Sequence, residues 1–181
     1  AMLDRSQGDV HPGGNPHIQT DPRNIAHVAP ALAARLAQLD PERAANYQSR
    51  LKDFNTRWDA AMARWKSQAA PLKGQSIVVQ HRAFPYLEDW LGLNQVAVLE
   101  PKPGVEPSVG HLAEVAARLK VTPARAVVRA AYQNPRPSQW LSEHAGIPVV
   151  VLPFTVGGSA RATDLFGLFD DTLAQLLKVG S

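Results

Sequence analysis

The sequence predicts an α/β fold: a parallel four-stranded sheet flanked by helices and preceded by a long connecting helix. Three observations carry that expectation. From residue 75 onward, short β-rich runs alternate with helical stretches, which is the rhythm of a parallel sheet with crossover helices. The strand candidates are apolar throughout instead of alternating, as strands covered on both faces are. Ahead of them, large apolar side chains recur at helical spacing over one long stretch.

Taken in order, residues 1–23 are rich in Gly, Pro, Asp and His and read as loop, with turn signals at Pro12-Gly13-Gly14 and Asn15-Pro16. Asp21-Pro22 has the form of a helix start, Asp as N-cap and Pro in the first turn, so a short Ala-rich helix is expected over 23–39. Asp40-Pro41-Glu42 repeats the signal and opens a longer helix to residue 69. Along it Tyr47, Leu51, Phe54, Trp58, Met62 and Trp65 share one face, the spacing that burial in a core selects. A helix of about 28 residues spans roughly 42 Å, enough to run along or between two lobes. Strands are expected at 76–80, 96–99, 126–130 and 148–152, with helices at 84–91, 108–119, 138–145 and 164–177. The chain thus divides into 1–40, 41–73 and 74–181, with the boundary before the sheet near Pro71–Gly74.

Composition narrows the function classes. With 181 residues, 45% hydrophobic and 19% charged, the chain can build one well-packed domain with an appendage. No run approaches the ~18 apolar residues of a membrane-spanning helix. No export leader is legible either; Ala1 ahead of Met2 reads as the remnant of a cleaved tag, so the missing leader does not argue for the cytoplasm. Cysteine is absent, which removes thiolate metal sites and leaves His and carboxylates as the ligands on offer. A net charge of +3 does not mark a nucleic-acid partner, because Arg35, Arg43, Arg50, Arg57 and Arg64 are scattered at helical spacing along a wet face.

Open parallel sheets bind ligands at the C-terminal ends of their strands. His81 follows the first strand there, and the loop Pro153-Phe154-Thr155-Val156-Gly157-Gly158 follows the last. His81 alone fits a metal ligand, a general base or a capping residue. His11 and His17, with Asp9 nearby, sit in the N-terminal loop at no regular chelating spacing, and His81 is the natural third partner. His27, His111 and His144 fall in helices and read as surface or packing residues. No G-x-S-x-G, H-E-x-x-H or G-x-x-x-x-G-K is present, and Gly157-Gly158-Ser159 before the last helix fits an anion cradle or, more often for two adjacent glycines, a plain turn.

These same residues resemble the zinc- and manganese-specific solute-binding proteins of ABC importers, the ZnuA-like family. Gly14-Asn15-Pro16-His17 followed by Thr20-Asp21-Pro22 is similar to the family's N-P-H-x-W-x-D-P segment. Val79 to Tyr86, with His81-Arg82-Ala83-Phe84, is similar to its strand-end H-x-A-F-x-Y segment. Glu100-Pro101-Lys102-Pro103-Gly104 and the stretch from Thr155-Val156-Gly157-Gly158 through Asp164-Leu165-Phe166 extend the likeness along the chain. The resemblance implies two lobes joined by one long helix, with metal in the cleft. Residues 1–40 would then be the tail of the N-terminal lobe, 41–73 the inter-lobe helix, and 74–181 the C-terminal lobe. It implies His17 and His81 as ligands of zinc or manganese, an ABC importer permease as partner, and a periplasmic location.

Two departures accompany it. The family's first His has no counterpart, and the Asp common after the last strand is replaced by Thr155-Val156. Asp164 is the substitute ligand expected from sequence, Glu100 the next, and His11 a stand-in when the other lobe is absent. Loss of that lobe is expected to leave an apolar patch along Trp58 and Trp65 through which the chain self-associates. Two rivals come from other classes: a small α/β hydrolase-like enzyme with His81 as general base, and a surface or adhesive domain that keeps the fold without the metal site.

Overall fold

The computed structural model describes residues 14–179. His11 and Asp9 lie outside them. After a 3-10 turn at Ile18–Thr20, α1 runs Pro22–Leu39, and a second 3-10 turn at Pro41–Arg43 leads into α2, Ala44–Gln68. The sheet domain follows as β1 Ser76–Val79, α3 Pro85–Leu91, β2 Asn94–Val98, α4 Val109–Leu119, β3 Ala126–Ala130, α5 Arg136–Ala145, β4 Val149–Leu152 and α6 Leu165–Lys178. All three strand pairings are parallel, in the order β2-β1-β3-β4.

The first start signal acts as read: Asp21 Oδ1 accepts the backbone N–H of Arg23. The second does not, because Asp40 makes no side-chain cap bond and accepts the Tyr47 hydroxyl instead. Ser108 caps α4 through His111 N–H and Asp164 caps α6 through Gly167 N–H, each satisfying a donor that a helix N-terminus leaves without an internal partner. The long helix is shorter than expected, because Pro41–Arg43 stays in 3-10 form and Ala44 opens the α-helix. Pro30 lies inside α1, on its exposed side.

Successive strand residues serve opposite layers. Val79 and Val128 face a core built with Trp58, Trp65, Leu87, Leu91, Phe169 and Leu173, from α2, α3 and α6. Val78 and Val127 face Leu112, Val115, Leu119 and Leu141, from α4 and α5. The sheet is therefore covered on both sides, which is why its strands carry no polar alternation.

The aromatic stripe of α2 is core, and the expected patch does not form there. Trp58 and Trp65 are 1% and 0% exposed. Their rings pack edge-to-face on each other at 5.1 Å and against Phe166 and Phe169 of α6. Their indole N–H groups donate to the Pro22 carbonyl and to Asp170 Oδ1, so even the polar atoms are satisfied inside. The exposed apolar face belongs instead to α1, where Val28, Leu32, Leu36 and Leu39 project at three- and four-residue spacing.

On α3, Glu88 is largely enclosed and its Oε1 has no hydrogen-bond partner. Burial pushes its carboxyl up from 4.5 to about 7, against the opposing pull of Arg82. The folded state thus holds a proton that the unfolded chain releases, so stability is lost as pH rises between the unfolded and folded values. Glu88→Gln is expected to raise stability at pH 8 by on the order of 2 kcal/mol and to change little at pH 4. Thermal unfolding at the two pH values checks this, and equal shifts at both would contradict it.

Candidate metal centre

The order β2-β1-β3-β4 reverses direction between β1 and β3, and crevices open beyond the strand ends at such reversals. His81 stands there, two residues past β1. The β1–β2 pairing continues beyond both strands through Leu99 N–H to the Val79 carbonyl and Glu100 N–H to the Gln80 carbonyl. That register sets Glu100 beside His81, and Glu100 Oε2 lies 2.8 Å from His81 Nδ1. Both side chains are mostly buried. Glu100 Oε2 also accepts the Gly104 N–H, so the carboxylate is itself held. An ionised carboxylate only accepts, so the shared proton sits on Nδ1 and the imidazole lone pair on Nε2.

His17 arrives from the other direction, on the loop ahead of α1. Asn15, only 7% exposed, organises that loop. Its Oδ1 accepts from the backbone N–H of His17 at 2.9 Å and faces His17 Nδ1 at 2.7 Å. Its Nδ2 donates to the Arg82 carbonyl, and its own carbonyl accepts the Tyr86 hydroxyl. The segment that carries His17 is thereby tied to the segment that carries His81. Asp21 adds a second fastening, because Arg23 donates to Asp21 and reaches on to Asp89 of α3. Since an amide oxygen only accepts, His17 also carries its proton on Nδ1 and its lone pair on Nε2.

The two imidazoles meet edge to face, with ring centroids 6.1 Å apart and planes at 89°. They are brought together from residues 64 positions apart in the chain. Among the described residues no group of three or more His, Asp or Glu side chains stands close enough to hold a metal. Asp164, expected as third ligand, is engaged as the N-cap of α6, its Oδ1 2.7 Å from Gly167 N. Val156 is exposed in the loop after β4. Beside His81 and Glu100 a cavity of ≈ 280 Å³ is lined by Gln80, Glu106, Tyr132 and Asn134.

The other histidines lie where the sequence set them. His27 is exposed, His144 stacks on Trp140 at 3.7 Å, and His111 sits near the Val98 carbonyl. Sequence reasoning weighed Glu100 as a ligand and gave Asn15 no separate role. The structure makes both of them the Nδ1 partners of the two imidazoles. The signal for Glu100 was available, because strands joined by one short crossover end side by side.

The family model for "Zinc-uptake complex component A periplasmic", ZnuA, matches residues 2–179. The high-affinity zinc uptake system protein ZnuA of Brucella abortus is 26% identical over 104 residues, 58% of this chain and 31% of that protein. The zinc-binding protein AdcA of Streptococcus pyogenes serotype M1 is 23% identical over 138 residues, 76% of this chain and 27% of its own length. Among solved structures, FpvC from Pseudomonas aeruginosa in complex with Mn2+ superposes with a TM-score of 0.77 at 22% identity, over 92% of this chain and 63% of that one. The laminin-binding protein Lbp of Streptococcus pyogenes superposes at 0.75 and 25% identity, over 92% and 66%. The chain spans about a third of the length of the curated relatives it matches. With the family model running along nearly its whole length, the chain belongs to the ZnuA family, whose members are transport components and not enzymes.

Proposed function

We propose that this chain is the metal-holding part of an extracytoplasmic solute-binding protein that captures zinc and hands it to an ABC importer permease. The observation that carries this reading is the pair His17 and His81, each with an oxygen acceptor at Nδ1 and its lone pair on Nε2. That is the arrangement in which outer partners orient metal-binding imidazoles and fix their tautomers. The names of the relatives, a zinc uptake protein and a zinc-binding protein, support zinc as the cargo, and imidazole donors suit it.

In this reading the neutral imidazoles supply two nitrogens, and water or a group from elsewhere completes a four-coordinate shell. Residues 1–40 act as the tail of an N-terminal lobe, 41–73 as the inter-lobe helix, and 74–181 as the C-terminal lobe. Asp164 can ligate only by giving up its bond to Gly167. Because a metal binds imidazole in its deprotonated form, zinc is released as the ring nitrogens protonate in acid. A second reading, a surface domain that recognises a macromolecule, draws support from the laminin-binding names of two structural neighbours at 25% identity. A chain that keeps its fold but binds no metal favours it.

Zinc titration by calorimetry tests the proposal. His17→Ala and His81→Ala are each expected to weaken zinc binding by more than the roughly 10–100-fold typical of losing an orienting partner. Asp164→Ala is expected to leave affinity within about twofold while costing roughly 1 kcal/mol of stability through the lost cap. Unchanged affinity in both His variants would contradict the site, and a large loss in Asp164→Ala would restore that carboxylate as a ligand.

Asn15→Ala removes the acceptor at His17 Nδ1 and the donor to the Arg82 carbonyl. It is expected to weaken zinc binding by about 10–100-fold, read by competition with a chromogenic chelator. Wild-type affinity in this variant would show that the loop holds His17 without it.

A further inference from the structure

We propose that Phe154 is a positioning residue of the metal centre, an aromatic wall that a strained turn holds against the His17 imidazole. The inference rests on the reading of His17 and His81 as zinc ligands.

Among the described residues Phe154 is the only non-glycine with positive φ, at 64°. Thr155 N–H donates to the Pro153 carbonyl at 2.7 Å across it, a three-residue γ-turn in the rare left-handed form. Glycine adopts such a φ without penalty, whereas a residue with a β-carbon does so only when its surroundings compensate. The compensation lies in the ring. Phe154 packs edge-to-face on His17 at 5.5 Å, on Phe84 at 5.8 Å and on Tyr132 at 5.3 Å. Phe84 is itself 2% exposed, so the wall is backed by the core.

The loop that carries Phe154 is fixed at both ends. It leaves β4 through Leu152, which is 1% exposed. Downstream, Gly157 N–H donates to the Ala162 carbonyl and Gly158 N–H to the Thr155 carbonyl. Ser159 donates to Asp171, a carboxylate 1% exposed on α6. A β-carbon at Gly158 would overlap the Pro153 carbonyl oxygen, so the chain folds back tightly under Phe154. His17 is thus gripped at Nδ1 by Asn15, met edge-on by His81, and flanked by Phe154. The ring leaves the imidazole few orientations and makes that side of the site apolar, which limits water access to the metal.

The test compares the 181-residue wild type with F154L and F154Y. Leucine keeps apolar bulk but removes the aromatic edge, and tyrosine restores it. Two quantities are read: zinc affinity, and the ring resonances of His17 in the metal-free protein, assigned with His17→Ala. F154L is expected to shift the His17 resonances and weaken zinc binding about tenfold. F154Y is expected to stay within about twofold of wild type. Wild-type zinc affinity in F154L, unmoved His17 resonances, or a failure of F154Y to restore binding would each overturn the proposal. Should F154L not fold, F154G, which relaxes the turn while deleting the ring, replaces it with the same outcomes. A wild type that binds no zinc overturns the reading as a zinc-capturing solute-binding protein and this inference with it, whereas a failure confined to the Phe154 variants leaves that reading standing.

Discussion

Asn15 engages its side-chain oxygen, its side-chain nitrogen and its own carbonyl, and each reaches a different part of the structure. Oδ1 turns the chain at His17 and faces the ring. Nδ2 clasps the backbone one residue past His81. The carbonyl takes the Tyr86 hydroxyl from α3. Inside a nearly closed environment each of these groups would cost about 1–3 kcal/mol if left without a partner. Moving the loop therefore means breaking them together. The meeting of the two imidazoles depends on this fastening, which ties the His17 loop directly to the segment that carries His81.

The two histidines are held by chemically different partners. His81 faces a carboxylate that a neighbouring strand delivers through sheet register, while His17 faces a neutral amide two residues away in its own loop. The first contact joins the ring to a carboxylate and the second to an amide oxygen, so the two rings are oriented by independent parts of the chain. His81 follows β1, which lies inside the sheet between β2 and β3. A histidine set at the end of a central strand and a second one clamped by a separate loop suit the proposed two-imidazole site.

Much of this was legible in the sequence, for identifiable reasons. Apolar strands such as Ser76–Val79 and Ala126–Ala130 announced a sheet covered on both faces, because burial on two sides removes the polar alternation. Asp21 marked a helix start because capping is local chemistry. The same local chemistry engages Asp164, the carboxylate expected as substitute ligand, as the cap of its own helix. Trp58 and Trp65 read correctly as packing residues by spacing. Which layer would cover them depended on α6, more than a hundred residues away, so their expected exposure did not follow. The bond between Glu100 and His81 is set by sheet register. The left-handed turn at Phe154 is set by the fold of the loop around it, and a phenylalanine in sequence gives no sign of positive φ.

The central claim is that His17 and His81 bind one zinc ion together. Zinc K-edge absorption spectroscopy on the equimolar complex tests it most directly, because imidazole rings give characteristic scattering beyond the first shell. The account predicts two imidazoles per zinc with nitrogens at about 2.0–2.1 Å, falling to one in either His→Ala variant. A spectrum described by oxygen donors alone, or one unchanged when His17 is removed, would contradict it.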